Sequence, residues 1–192
     1  RIPRFDAGNA DIDARGRLAL ELPGEGASPF VDLQVEFGDG DISQARRYLP
    51  ARIMPPNVVQ WLDHGLVSGH VTHGSFLFFG RIDDFPFADH KGTFRISFGI
   101  EDAIIDYADG WPRAEEVDAD ITFEDRAFHA QVRAGKVFDL DVDDASLGID
   151  EMTRGAAFDM QARFHGAIAD MFRYLQVSPA GEQYRDLLKN VK

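Results

Sequence analysis

Ser75-Phe76-Leu77-Phe78-Phe79-Gly80 opens a stretch that passes through Phe85-Pro86-Phe87 and Asp89-His90-Lys91-Gly92 into Thr93-Phe94-Arg95-Ile96-Ser97-Phe98-Gly99-Ile100. It continues to Tyr107 and the Trp111-Pro112 turn. Its second half alternates without a break. Phe94, Ile96, Phe98 and Ile100 fall on one side of an extended chain, and Thr93, Arg95 and Ser97 on the other. Successive side chains of a strand point to opposite faces, so this is a strand with one apolar face. The turn from Asp83 to Asp89 reads as a solvated corner with Phe85 and Phe87 tucked inward.

The same period of two recurs outward from this stretch. Leu18, Leu20 and Leu22 alternate with other residues, as do Val31, Leu33, Val35 and Phe37. After the central strand come Val117, Ala119, Ile121 and Phe123, then Phe128, Ala130, Val132 and Ala134. Phe138, Leu140 and Val142 follow, and last Phe158, Met160, Ala162 and Phe164. Gly135 marks a bend or bulge. A loose echo links Phe37-Gly38 and Phe98-Gly99, each leading through a turn to an aromatic residue and a proline.

Helical spacing is confined to short pieces. Asp41 caps a helix near 42–49 that carries Ile42, Ala45 and Leu49. Pro55-Pro56 starts a second, near 56–66, which Gly65 weakens and Gly69 stops. The C-terminal part, 167–192, holds two more: Ile168, Met171, Phe172 and Leu175 face one way, and Ser178-Pro179 starts a last helix with Tyr184, Leu187, Leu188 and Val191. Residues 1–166 are otherwise mostly strand, so the expected class is mainly β (β-rich α+β).

Composition bounds the function. The 192 residues suit one domain or a piece of a longer one, and 44% hydrophobic against 28% charged residues describe a soluble globular chain. Sixteen Phe against 4 Tyr and 2 Trp bias the aromatics to the purely apolar type. A net charge of −13 argues against nucleic acid as a partner and against flat adsorption on an anionic leaflet. Cysteine is absent, which removes disulfides, thiolate metal sites and Cys nucleophiles. No apolar run approaches the roughly 18 residues of a membrane span. The opening Arg1-Ile2-Pro3-Arg4-Phe5, without Met, reads as the start of an internal fragment.

No residue pattern commits to catalysis, a metal or a cofactor. His64, His70 and His73 lie close in sequence, but a separation of three on a strand sends His70 and His73 to opposite faces. Asp139, Asp141 and Asp143 share one strand face without the Gly-centred loop and closing Glu of a calcium site. Arg46, Arg47 and Arg52 form the only local cluster of positive charge; they could meet phosphate head groups or be ordinary surface arginines at a helix end. Asp83, Asp84 and Asp89 could supply paired carboxylates, yet nothing near them reads as a nucleophile elbow or phosphate loop.

Each amphipathic strand leaves a greasy face to be covered. On alternation alone, a two-sheet sandwich or closed barrel is the better reading. The wealth of Phe favours a single curved sheet with an apolar trough.

The order of short motifs carries a further likeness. Tyr48-Leu49-Pro50, Met54-Pro55-Pro56, Trp61-Leu62-Asp63, Gly69, Phe79-Gly80, Asp84-Phe85-Pro86-Phe87, Asp106-Tyr107 and Trp111-Pro112 precede a helix from Ala167 that ends in Ser178-Pro179. In this order the chain resembles the large AsmA-like envelope proteins, and within them the YhdP subgroup of Gram-negative bacteria, from about residue 31 to 192. The resemblance implies a long, curved antiparallel β-sheet forming an open groove. It implies a single segment, 1–192, of the periplasmic portion of an inner-membrane-anchored protein. The groove would shield phospholipid acyl chains between inner and outer membranes. Partners would be those acyl chains and adjacent segments of the same chain, with membrane contact through parent regions outside this piece, and no enzymatic role. The lining expected from alternation is Phe94, Ile96, Phe98, Ile121, Phe123, Val132, Phe158, Met160 and Phe164. A structural or interaction β module of the cell envelope, with no ligand of its own, is the alternative.

Overall fold

The computed structural model describes residues 1–24, 26–48, 56–153, 159–179 and 181. Nine strands follow one another as an antiparallel meander: β1 (Ile2–Gly8), β2 (Asp13–Glu21), β3 (Phe30–Asp41), β4 (Leu66–Arg81), β5 (Thr93–Ile105), β6 (Ala114–Glu124), β7 (Ala127–Val137), β8 (Leu140–Ile149) and β9 (Asp159–His165). Their order in the sheet is their order in the chain, and β1 and β9 remain as two separate edges. The sheet is therefore open, neither a sandwich nor a closed barrel. Consecutive pairing by short connections is the simplest way to hydrogen-bond strands of this period.

Three connections explain why the meander holds its register. β6 and β7 are joined by Asp125 and Arg126 alone, with Asp125 at φ 49°. Asp125 also ties that hairpin to β5: its carboxylate accepts the Phe94 N–H at 2.8 Å, and its own N–H donates to the Phe94 carbonyl at 2.8 Å. β7 and β8 turn through Phe138 and Asp139. Phe138, expected in a strand, sits in this turn at φ 55°, with the Arg173 guanidinium 4.2 Å above its ring. The β4–β5 corner folds inward as expected. Phe87 is 1% exposed and packs with Phe78 and Phe85.

Most of the helical segments are short and gather at one end of the sheet; one 3-10 turn, Ile82–Asp84, lies at the β4–β5 corner at the other. Asp41 caps the 3-10 segment Ile42–Arg47 by accepting the Ser43 N–H at 2.9 Å. It is tighter and shorter than the helix expected at 42–49; residues 49–55 lie outside the described residues. α1 (Pro56–Gly65) ends one residue early, because Leu66 already belongs to β4. Gly69 therefore lies inside a strand at φ 136°, where a Cβ would come within 2.7 Å of Ala103, so it serves close strand approach and not helix termination. α2 (Ile168–Val177) matches its apolar spacing, and Ser178 closes it as the C-cap. The helix placed after Ser178 lies outside the described residues.

A line of irregularities crosses the sheet near this helical end. Asp39 on β3, Gly69 on β4, Asp102 on β5 and Glu116 on β6 all have positive φ, at 51°, 136°, 49° and 51°. The register slips beside them in the β4–β5, β5–β6 and β6–β7 pairs. Bulges bend a strand and increase its twist, so the line bends several strands together. At Asp102 the Asp118 carboxylate accepts the backbone N–H at 3.0 Å, holding the bulge open. Gly135, expected to be the bend, pairs in register with Val142 and sits opposite the irregular part of β6. The slip between Val71 and His73 also returns His70 and His73 to one polar face, against the expectation from a spacing of three.

Candidate functional site

Pairing carries one face of every strand into a common surface. Across the sheet, Ala7, Ala14, Phe37, Gly74, Phe98, Ile121, Ala130, Leu147 and Met160 are successive register partners from β1 to β9. The next row toward the Phe85–Phe87 corner is Phe5, Gly16, Val35, Phe76, Ile96, Phe123, Phe128 and Ile149. No charged side chain interrupts either row. Nine strands spaced about 4.8 Å apart make this band about 38 Å long, running across the strands. Two glycines smooth it. A Cβ on Gly74 would lie 2.2 Å from the Phe37 ring, and one on Gly16 would lie 2.7 Å from Phe5, so each ring lies flat over the neighbouring strand.

The two ends of the apolar face are closed by protein. At the helical end Ile42, Leu66, Val71, Ile100, Ala103, Val117 and Ala119 form a buried cluster, and Ile100 and Ala103 are wholly inaccessible. Beside it, Val137, Leu140, Val142 and Ala145 are covered by Tyr174 of α2, with Trp111, Met171 and Leu175 against them. The Tyr107 and Tyr174 phenols are held above their ordinary value, chiefly by burial. At the other end Phe85 lies edge-on to Phe94 at 5.3 Å and stacks near Phe78 at 6.1 Å. Between these closures Phe37, Phe76, Ile96, Phe98, Phe123, Phe128, Ala130 and Leu147 are half-buried, and Met160 is 39% exposed.

The residues expected to line a groove therefore separate into groups. All eight that are described (Phe94, Ile96, Phe98, Ile121, Phe123, Val132, Met160 and Phe164) lie on this one face. Phe158 lies outside the described residues. Ile96, Phe98, Phe123 and Met160 are in the half-open band, whereas Val132 pairs with Ala119 and Ala145 in the next row toward the helical end and packs against both buried clusters. Phe94 is covered by Phe85, Phe164 packs 5.4 Å from Tyr174, and Ile121 is 6% exposed within the core. The band also contains Phe37, Phe76, Phe128 and Leu147, which the expected lining omitted. Phe37 and Phe128 were visible as alternating residues, but their strand partners were not. Phe76 lies in an unbroken apolar run whose period names no face.

The opposite face is mainly polar, apart from Leu77 and the edge-on Phe30–Phe79 pair on β3 and β4. It carries a shallow depression of about 370 Å³ where Ser75, Ser97 and Thr122 form the floor. The Arg15–Glu36 ion pair, at 2.7 Å, walls one side, and His73, 3.9 Å from Asp120, walls the other. The Ser97 and Thr122 hydroxyls bond one another at 3.0 Å, and Asp120 is also paired with Arg133. Among the described residues no group of His, Asp or Glu is arranged to hold a metal ion. Asp141 and Asp143 are exposed on β8, while Asp139 is in the turn before it. Lys91 pairs with Asp89, and Arg113 holds the Asp106 carboxyl below its usual range through a hydrogen bond. No described helix is long and apolar enough to cross a membrane.

A family model described as YhdP protein matches residues 1–192. Among curated proteins, the chain is 23% identical over 125 residues to the intermembrane phospholipid transporter YhdP of Escherichia coli (strain K12), which covers 62% of this chain and 10% of that protein. The chain thus spans about a tenth of the length of that relative. No solved structure matches.

Proposed function

The chain belongs to the YhdP family, and from that premise we propose that it is a segment of a phospholipid transporter whose apolar band keeps acyl chains out of water between two membranes. The observation that carries this reading is the band itself: two uninterrupted apolar rows on an open sheet, half-exposed between closed ends. An acyl chain spans half of a hydrocarbon core of roughly 30 Å, about 15 Å, and so crosses about three strands. Each methylene left in water costs about 0.8 kcal/mol, and Phe, Ile and Leu side chains offer contact without hydrogen bonds that would arrest sliding. Head groups stay at the wet margin, and the charged opposite face keeps the sheet dispersed.

In this reading Ile96, Phe98, Phe123 and Met160 touch lipid, whereas Phe94, Ile121, Val132 and Phe164 support the floor. The free edges of β1 and β9 would pair with adjacent segments of the parent chain, since an exposed strand edge is a template for another strand. The segment would lie in the periplasm, with membrane contact supplied by other parent regions, and no bond-making step is needed. The buried cluster around Ile100 and Leu140 favours a structural role for the helical end alone. The test is a photoreactive residue at position 98 in the 192-residue chain, irradiated after exposure to phospholipid vesicles. Lipid adducts found by mass spectrometry at 98, and absent from position 97 on the other face, support the reading. Equal labelling at both positions, or none, ends it.

A further inference from the structure

We propose that an uncovered apolar shelf on β1–β3 is a second acyl-chain site, which holds the two chains of one lipid abreast; the proposal rests on the lipid-shielding reading above. The shelf consists of two further rows on the same face as the band. Ile2, Leu18 and Leu33 are register partners across the three strands, and Leu20 pairs with Val31 in the row beyond. The Leu18–Leu33 row lies two residues, about 7 Å, along the strands from the Gly16–Val35 row of the band. The shelf is therefore continuous with the band.

On the neighbouring strands these rows are filled or end. On β4 and β5 they continue as Phe78 with Phe94 and, beyond, Gly80. Phe85 packs on Phe78 and Phe94, and the Phe87 ring fills the space over Gly80, where a Cβ would lie 2.6 Å from it. β6 and β7 turn at Asp125 and Arg126, just past the Phe123–Phe128 pair. On β1–β3 the rows stay open. Ile2 and Leu20 are each 48% exposed, Leu18, Val31 and Leu33 are half-buried, and neither buried cluster includes them. A chain lying across the strands beds between adjacent rows. The two half-open rows of β5–β8 hold one chain, and the four rows of β1–β3 hold two. The length fits as well, since three strands match the roughly 15 Å of an acyl chain. The side chains here offer hydrocarbon contact only. An extended peptide laid on them would need hydrogen-bond partners that a sheet face lacks.

The experiment places a photoreactive residue at position 20 on the shelf, at 98 in the band, or at 19 on the polar face, each in the 192-residue chain, and irradiates after exposure to dioleoyl phosphatidylcholine vesicles. Lipid adducts are expected by mass spectrometry at 20 and 98 and not at 19. A second arm measures the lipid retained by Leu18→Asp, offered either dioleoyl phosphatidylcholine or its one-chain analogue, oleoyl lysophosphatidylcholine. The charge spoils one of the three strands that the second chain crosses. Retention of the two-chain lipid should fall about thirtyfold, while that of the one-chain lipid, which keeps the band, changes less than about twofold. Urea midpoints establish that the variant folds; if it does not, the adducts at 20 decide. Adducts at 98 without any at 20, equal adducts at 19 and 20, or equal loss of both lipids in folded Leu18→Asp overturns the proposal and leaves the band reading standing. Crosslinking of position 20 to a second copy of the chain in place of lipid makes the shelf a protein interface and overturns it too. No adduct at either 20 or 98 refutes the lipid-shielding reading itself.

Discussion

Phe98→Asp places a carboxylate in the middle of the band, between Gly74 and Ile121 in register. If about eight methylenes of one acyl chain are shielded, their contact contributes about 6 kcal/mol. The chain crosses about three strands, so spoiling one removes about a third, or about 2 kcal/mol. That alone lowers occupancy about thirtyfold. The carboxylate adds a desolvation cost with a ceiling, because it can take up a proton instead. For an aspartate with an ordinary value near 3.9, the ceiling is about 5 kcal/mol at pH 7.5 and about 1.5 kcal/mol at pH 5. The block should therefore relax as pH falls, since the neutral acid tolerates the acyl chain. The assay is lipid carried by the purified chain after vesicle exposure, measured by mass spectrometry at both pH values. Urea midpoints separate loss of lipid from loss of fold. Phe98→Leu should load normally. Ser97→Asp, one residue away on the polar face beside Thr122, should as well. The reasoning is refuted if folded Phe98→Asp loads like wild type, or if Ser97→Asp blocks loading equally.

Three further outcomes test how the fold is held. Phe87→Ala empties the site between Gly80, Gly92 and Phe78, and should lower stability by about 3–5 kcal/mol in denaturant titration. Asp118→Ala removes the acceptor for the Asp102 N–H and should cost about 1 kcal/mol, with local loss of hydrogen-exchange protection at residue 102. The buried Tyr107 and Tyr174 phenols ionise above their ordinary value in the fold, so the folded state holds these protons more tightly than the unfolded chain. Their contribution to stability is complete below about pH 10 and falls as pH rises past it; thermal melts should decline there, and less steeply in Tyr174→Phe.

The period of two was enough to draw most of the strands and their faces. Phe94, Ile96, Phe98 and Ile100 do share a face, and Ile121, Phe123, Val132, Met160 and Phe164 lie on that same face. The positions of the 3-10 segment and α1 were legible from Asp41 and the paired prolines. The failures have local physical causes. The strand β4 starts before its apolar run, because Gly69 at positive φ is read equally well as a helix stop. Aspartates at 39 and 102 and a glutamate at 116 adopt positive φ in bulges where sequence suggests plain strand. One such slip was enough to bring His70 and His73 to the same side. Phe138 looked like a strand residue by alternation, yet a two-residue turn supported by Arg173 claims it.

Alternation in the chain determined that each strand has an oily side and a charged side, because a pleated backbone allows nothing else. It could not determine what meets the oily side, since a sandwich, a barrel and an open sheet share the same period. Tertiary structure decided that. Pairing in chain order left β1 and β9 apart, α1, α2 and the 42–47 segment gathered at one end, and Phe85 and Phe87 closed the other. Which apolar residues became floor and which stayed half-open depends on contacts between residues far apart in the chain, such as Phe164 with Trp111 through Tyr174, and these have no signature in any local run.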